Sequence, residues 1–217
     1  DDIKYAGKRV VVIGSGATAV TLVPELAKQA AHVTMLQRSP TWMSSGASSD
    51  WIANVLKAIL PAKLAYDIVR WKNVTLGQYF YKQTRSNPGK VRELLLKRLA
   101  KLLPADYDLE THFTPGYNPW DQRLCLVPDG DFFKALRGGK ASVATDTIKQ
   151  FVANGIELNS GEVLEADIVV TATGLNVQMV GGMKISLDDE PVNLSEKMFY
   201  KSAMLQDLPN AAVVLGY

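Results

Sequence analysis

The run Gly14-Ser15-Gly16-Ala17-Thr18-Ala19 has the spacing of a glycine turn that holds a pyrophosphate, with alanine in the last place. Each small residue has a physical task. Gly14 makes the turn, Gly16 lets backbone approach the phosphates, and Ala19 lets a helix pack closely on a strand. The N–H groups that open the helix then face phosphate oxygens. Beyond the next apolar run stands Gln37-Arg38-Ser39. Sites for NAD or FAD usually place a carboxylate there to accept the ribose 2′-hydroxyl, whereas a cation suits the 2′-phosphate of NADP. Arg38 supplies a planar, permanently charged fork, and Ser39 adds a hydroxyl. A carboxylate at position 37 would repel that phosphate, and a glutamine stands in its place. These residues predict a seat for NADPH.

The elements that must position them are legible on either side. Val10 to Ile13 is a β-branched run closed by glycine, Ala17 to Ala31 carries apolar residues at helical spacing, and Val33 to Leu36 is apolar again before turning polar at Gln37. The order is strand, turn, helix, buried parallel strand. Ser and Gly near 44–49 predict a loop. Trp51 to Leu60, Ala62 to Lys82 and Lys90 to Leu103 predict helices interrupted by Pro61, Pro88 and Pro104. Pro104 to Pro128 predicts a long loop of functional type. A short helix follows over Gly130 to Leu136, with Asp129-Gly130-Asp131 as its cap and first turn. Ala141 to Ala144 predicts a strand. Thr147–Val152, Ile156–Leu158 and Glu162–Leu164 predict a meander turning at Asn154-Gly155 and Ser160-Gly161. Asp167 to Thr171 predicts a buried strand ending in Ala172-Thr173-Gly174, whose small residues allow backbone close to a ligand. Weaker strand signals run on to Tyr217.

Composition narrows the function classes. The chain has 217 residues, of which 47% are hydrophobic, enough for a core, and its net charge of +2 gives no global field that argues for nucleic acid. One cysteine, Cys125, and two histidines, His32 and His112, exclude a disulfide framework and a Cys/His metal site, and a reducing cytoplasm fits best. Cys125 reads as a packed, inert thiol despite its neighbour Arg123, His32 as structural and His112 as a surface residue. The most apolar stretch, Trp51 to Val69, is broken by Lys57 and Lys63, and no signal peptide is expected. Lys57 to Lys101 holds eleven Lys or Arg against the acids Asp67 and Glu93, which reads as a solvated face or as a contact with a membrane surface or acidic partner. The opening at Asp1 without methionine is expected of an excised piece or a processed product.

The glycine turn, Gln37-Arg38-Ser39-Pro40-Thr41-Trp42, Tyr117-Asn118-Pro119-Trp120-Asp121-Gln122-Arg123, Val127-Pro128-Asp129-Gly130-Asp131 and Ala172-Thr173-Gly174-Leu175-Asn176 together resemble, in order, flavin-containing monooxygenases of Baeyer-Villiger type. The nearest branch is the ethionamide-activating monooxygenases. The resemblance implies an α/β fold: a Rossmann-like NADP-binding domain over 1–174 with a helical insertion at about 49–103 and a β-meander. The segment 175–217 would be a C-terminal piece of the FAD domain. It implies hydride transfer from NADPH to FAD, then delivery of one oxygen atom of O2 to a small-molecule ketone or soft heteroatom substrate. The main FAD site would lie outside this chain, so the isolated chain is expected to be inactive. Arg123 matches the family's arginine that reaches the flavin and later positions NADP. Gln122 replaces a lysine that typical members use on the 2′-phosphate, and Ala172-Thr173-Gly174 match the strand end that crosses near the dinucleotide. The rival readings are a stand-alone NADP(H)-sensing module and an NADPH-dependent reductase.

Overall fold

A computed structural model describes residues 3–176 and 178–214. The chain divides into two compact units, Asp1–Gly174 and Leu175–Tyr217.

The first unit is built on a parallel sheet. Strand β1 (Arg9–Ile13) leads through the glycine turn to helix α1 (Ala17–Leu26) and then to β2 (His32–Gln37). Val10 and Val12 face one side of the sheet and Val11 the other, and all are buried, which explains the unbroken β-branched run. Helix α1 is shorter than its apolar spacing predicts. The chain has to double back after Leu26 to enter β2, and the backbone of Gln29 and Ala31 is stitched to Gly7 and Lys8 at 2.9 Å.

After β2 come β3 (Trp42–Gly46), helices α2 (Trp51–Ile59), α3 (Ala62–Ser86) and α4 (Pro88–Ala100), the short α5 (Leu109–Phe113) and β4 (Leu124–Pro128). β3 and β4 form a parallel pair, Trp42 opposite Leu124 through Gly46 opposite Pro128. Both lie where the sequence predicts loops. Ser44, Ser45 and Gly46 hide β3, because its hold comes from a partner about eighty residues away in sequence rather than from local propensity. In β4 the period of two is present, with Cys125 and Val127 buried and Leu126 exposed, but the surrounding Pro and Gly mask it. Trp42 anchors this region: its ring is buried with Val91 and Leu95 of α4, its Nε1 donates to the Tyr117 carbonyl at 2.8 Å, and Arg92 lies over it at 5.7 Å.

Helix α6 (Asp131–Arg137), β5 (Ala141–Thr145), the meander β6 (Ile148–Val152), β7 (Gly155–Leu158) and β8 (Val163–Glu165), and β9 (Ile168–Thr171) complete the unit. The sheet order is β5-β2-β1-β9, parallel throughout. One face carries α1 and α6 over a core that includes Val20, Val23, Phe113, Phe132 and Phe133. The other face packs Val11 and Leu36 against Ile156, Leu158 and Leu164 of the antiparallel meander. Strand β9 differs from the buried strand its sequence predicts. It pairs with β1 at the sheet edge, and Val169 is 37% exposed. The cap of α6 also differs. Gly130, in the left-handed region, is the N-cap, while the Asp129 carboxylate accepts hydrogen bonds from the backbone and hydroxyl of Ser48, which hold it below the usual carboxylate range.

The second unit contains β10 (Ser186–Leu187) paired with β11 (Glu190–Pro191), and β12 (Phe199–Tyr200), β13 (Met204–Leu205) and β14 (Leu208–Ala212) in an antiparallel three-stranded sheet. Val177 and positions 215–217 of the predicted return segment lie outside the described residues.

Candidate functional site

All four strands of the parallel sheet end at one edge, and a cavity of about 540 Å³ opens there, within the range of small-molecule sites. Its wall is the carboxyl edge itself. Gly14, Ser15, Gly16, Ala17 and Thr18 come from the turn after β1, Leu36, Arg38 and Ser39 from the end of β2, and Ala172, Thr173 and Gly174 from the end of β9. Arg123, just before β4, closes the cavity over the turn. The cavity therefore brings together every predicted site residue but one. Ala19 is fully buried on the sheet-facing side of α1, so its smallness serves helix packing and not a wall of the cavity.

The turn itself is tightly specified. Gly14 sits at φ 125°, its N–H donates to the Leu36 carbonyl at 2.8 Å, and a Cβ there would run into the Ala172 carbonyl oxygen. Gly16 is the extended N-cap of α1 with no side-chain cap, so the first N–H groups of the helix have no side-chain acceptor at the cap. A Cβ on Gly16 would stand 3.5 Å from the Arg123 guanidinium, which places that cation directly over the helix N-terminus. Ser15 is tied to Thr41 by a 2.9 Å hydroxyl contact, linking the turn to the segment after β2.

Arg38 and Arg123 are both exposed side chains, and among the described residues neither forms an ion pair. Two free guanidinium groups on one concave surface, next to an open helix N-terminus, form a site for a polyanion. The opposite wall, Asp146, Thr147 and Ile148, was missed in the sequence. These residues follow β5, and only the sheet order, which puts β5 beside β2, brings them to the cavity.

Gln37 corrects the sequence reading. Its side chain is buried on the helical face of the sheet, where Nε2 donates to the His112 carbonyl and to Thr145 Oγ1, both at 2.8 Å. Alternation along β2 sends Leu36 to the cavity and Gln37 away from it. The residue at 37 therefore does not meet a ligand, and Arg38 alone sets the charge at the end of this strand. Gln37 Oε1 is buried without a protein partner.

His112 is not a surface residue. Its ring is half-buried beside Tyr107, with Nδ1 2.8 Å from Thr145 Oγ1, and burial holds its pKa below the ordinary value against an opposing pull from Asp108. The folded protein thus takes up the His112 proton less readily than the unfolded chain. Stability is fully present above about pH 6.5 and falls as the pH drops through the range in which only the unfolded chain is protonated. The urea midpoint is expected to be lower at pH 5.5 than at 7.5, and His112→Gln should flatten that difference. The depressed carboxylates Asp50, Asp129 and Asp146 titrate at lower pH and leave this window unaffected.

Cys125 is a packed thiol as predicted. It is 4% exposed, and burial raises its pKa more than Arg123 lowers it. A thiol-specific disulfide reagent at pH 8 is expected to label it only as fast as the protein opens, with prompt labelling in 6 M guanidinium as the reference. His32 is structural, its Nε2 2.8 Å from Ser142 Oγ. Among the described residues there is no cluster of three or more metal-ligating side chains, and no helix is long and apolar enough to cross a membrane.

No family model matches the chain. FAD-containing monooxygenase EthA of Mycobacterium tuberculosis is 52% identical over 218 aligned residues, covering 100% of the chain and 45% of the relative. The probable FAD-binding monooxygenase AlmA of Acinetobacter baylyi is 50% identical, covering 100% and 44%. Over its whole length the chain aligns with one stretch of these FAD-containing monooxygenases, to which it is similar. It spans less than half the length of these relatives. Among solved structures, OTEMO in complex with FAD and NADP shares the fold, with a TM-score of 0.56 at 16% identity over 79% of this chain and 38% of that one.

Proposed function

We propose that this chain is the NADPH-binding portion of an FAD-dependent monooxygenase, and that the cavity at the carboxyl edge seats the dinucleotide. The observation that carries the reading is the convergence in one cavity of an uncapped helix N-terminus behind Gly14 and Gly16 with the unpaired cations Arg38 and Arg123. The donors fit the ligand part by part. Backbone N–H groups from Gly16 to Thr18 take the pyrophosphate. Arg38, with Ser39, takes the 2′-phosphate. The small residues Ala172, Thr173 and Gly174 allow the dinucleotide to pass close to the end of β9.

FAD, when bound by the protein that carries this chain, supplies the redox chemistry that accepts the hydride and uses O2 to oxygenate a ketone or soft heteroatom substrate. The residues present here bind and orient. Arg123 holds a fixed positive charge over the turn, in position to neutralise anionic charge next to the pyrophosphate and, from the same loop, to steady the reduced end of the dinucleotide. The gap at Gln122, which carries no charge, leaves Arg38 as the principal 2′-phosphate contact. The chain by itself holds NADPH without turning it over.

Calorimetric titration of the purified chain tests the reading. NADPH should bind at least about tenfold more tightly than NADH, with no steady loss of absorbance at 340 nm in air. Equal affinity for the two nucleotides, or no binding of either, would refute it.

A further inference from the structure

The last turns of α3 reach the loop that carries Arg123 and fasten it. Tyr81 and Arg85 stand four residues apart and so share one face of the helix. The Tyr81 ring meets Trp120 edge-to-face, with centroids 6.3 Å apart and planes at 73°. Arg85 forms an ion pair with Asp121. The residues just before are held as well: Trp42 Nε1 donates to the Tyr117 carbonyl at 2.8 Å, and Arg92 of α4 donates to the Pro115 carbonyl at 3.4 Å.

The segment so fastened is a strained turn. Asn118-Pro119-Trp120-Asp121 closes when the Asp121 N–H donates to the Asn118 carbonyl at 3.0 Å. Proline fixes φ at the second position, and Trp120 follows with φ 67°, the type II geometry whose third position favours glycine. A tryptophan persists there only where surrounding contacts over-determine the backbone. Tyr81 supplies one such contact. The Asp121 carboxylate supplies the other, accepting from Arg85 and, at 3.3 Å, from the Asn118 N–H, and Arg85 foremost holds it below the usual carboxylate range.

Only Gln122 separates this turn from Arg123, and Leu124 begins β4. Two residues span at most about 7 Å of extended chain. A shift of the turn therefore passes to Arg123, whose guanidinium stands over the glycine turn. Tyr81 and Trp120, and the side chains of Arg85 and Asp121, are all partly exposed, so these contacts add little to the stability of the whole fold. Their effect is local.

We infer that Tyr81 and Arg85 are positioning residues for Arg123, holding through Trp120 and Asp121 the loop conformation that keeps this cation over the dinucleotide phosphates. The inference rests on the NADPH reading of the cavity and gives the helical insertion a part in it. Calorimetry and amide hydrogen exchange of the 217-residue chain test it. In the double variant Tyr81→Ala, Arg85→Ala the Asn118 and Asp121 amides should exchange at least about tenfold faster. NADPH affinity should fall about three- to tenfold, with the melting temperature near that of the parent. Arg85→Lys should keep most of the affinity, because it keeps the charge facing Asp121. Arg85→Ala alone should move exchange and affinity the same way by a smaller factor, and it carries the test if the double variant unfolds.

Arg123→Ala, itself expected to weaken NADPH binding about tenfold, supplies the decisive background. There the Tyr81 and Arg85 substitutions should cost no further affinity, whereas a cation acting on the nucleotide through space would add its own loss. Unchanged exchange at Asn118 and Asp121, or losses that add to that of Arg123→Ala, would overturn the inference while NADPH binding by the parent leaves the dinucleotide reading standing. No binding by the parent would overturn both.

Discussion

Replacing Arg38 with alanine is expected to weaken NADPH binding by about 1.5–3 kcal/mol, roughly 10- to 150-fold, while leaving NADH affinity nearly unchanged. The asymmetry follows from geometry. Arg38 lines the cavity, has no ion pair among the described residues, and follows a β2 whose last side chain, Gln37, turns into the core. No neighbouring cation from the end of that strand can replace it. Arg38→Lys should recover part of the loss, because a lysine keeps the charge but not the planar fork. Gln37→Glu separates this account from one in which position 37 repels the phosphate. It should destabilise the fold by burying a carboxylate against the His112 carbonyl, and leave the NADPH preference of the folded fraction intact. Calorimetry with both nucleotides reads all three variants.

The second large effect is on the fold. Gly14→Ala combines a side chain at φ 125° with a collision against the Ala172 carbonyl oxygen, which is backbone and can yield only if β9 moves away from β1. Backbone strain and overpacking together should cost about 2–5 kcal/mol, a fall in melting temperature of roughly 5–20 °C for a unit of this size. Gly16→Ala is the control. Gly16 has φ −78°, and its Cβ would meet only the mobile end of Arg123 at ordinary contact distance. That variant should melt close to the parent, yet bind NADPH less well, since the methyl stands where the phosphates approach. Thermal denaturation and titration of the pair separate a glycine needed for the turn from one needed for the ligand.

The parts of the site visible in sequence are those fixed by local chain geometry. The turn at Gly14 and Gly16, the cation after β2 and the small residues after β9 all follow short apolar runs, β-branched throughout most of β1 and β9 and mixed in β2. What the sequence concealed depends on distant pairing. Strand β3 exists because β4 lies beside it, and the wall at Asp146, Thr147 and Ile148 exists because β5 lies next to β2. The orientation of Gln37 was concealed for a related reason. Alternation along β2 was readable, but its buried side became known only with α5 and His112 packed over it. Ala19 shows the reverse. Its place in the glycine pattern was plain, and the pattern's own physics, close packing of helix on strand, already put it on the buried side of the helix and out of the cavity.

The central claim is the location of the dinucleotide, and amide chemical-shift mapping of the ¹⁵N-labelled chain tests it most directly. Titration with NADPH should move the backbone amides of Ser15, Gly16, Ala17 and Thr18 and those flanking Arg38, with smaller shifts at Thr173 and Gly174. NADH should leave the amides around Arg38 nearly still. Shifts confined to the polar cavity between β5 and the meander, around Thr34, Ser142 and Glu162, with the glycine turn silent, would contradict it.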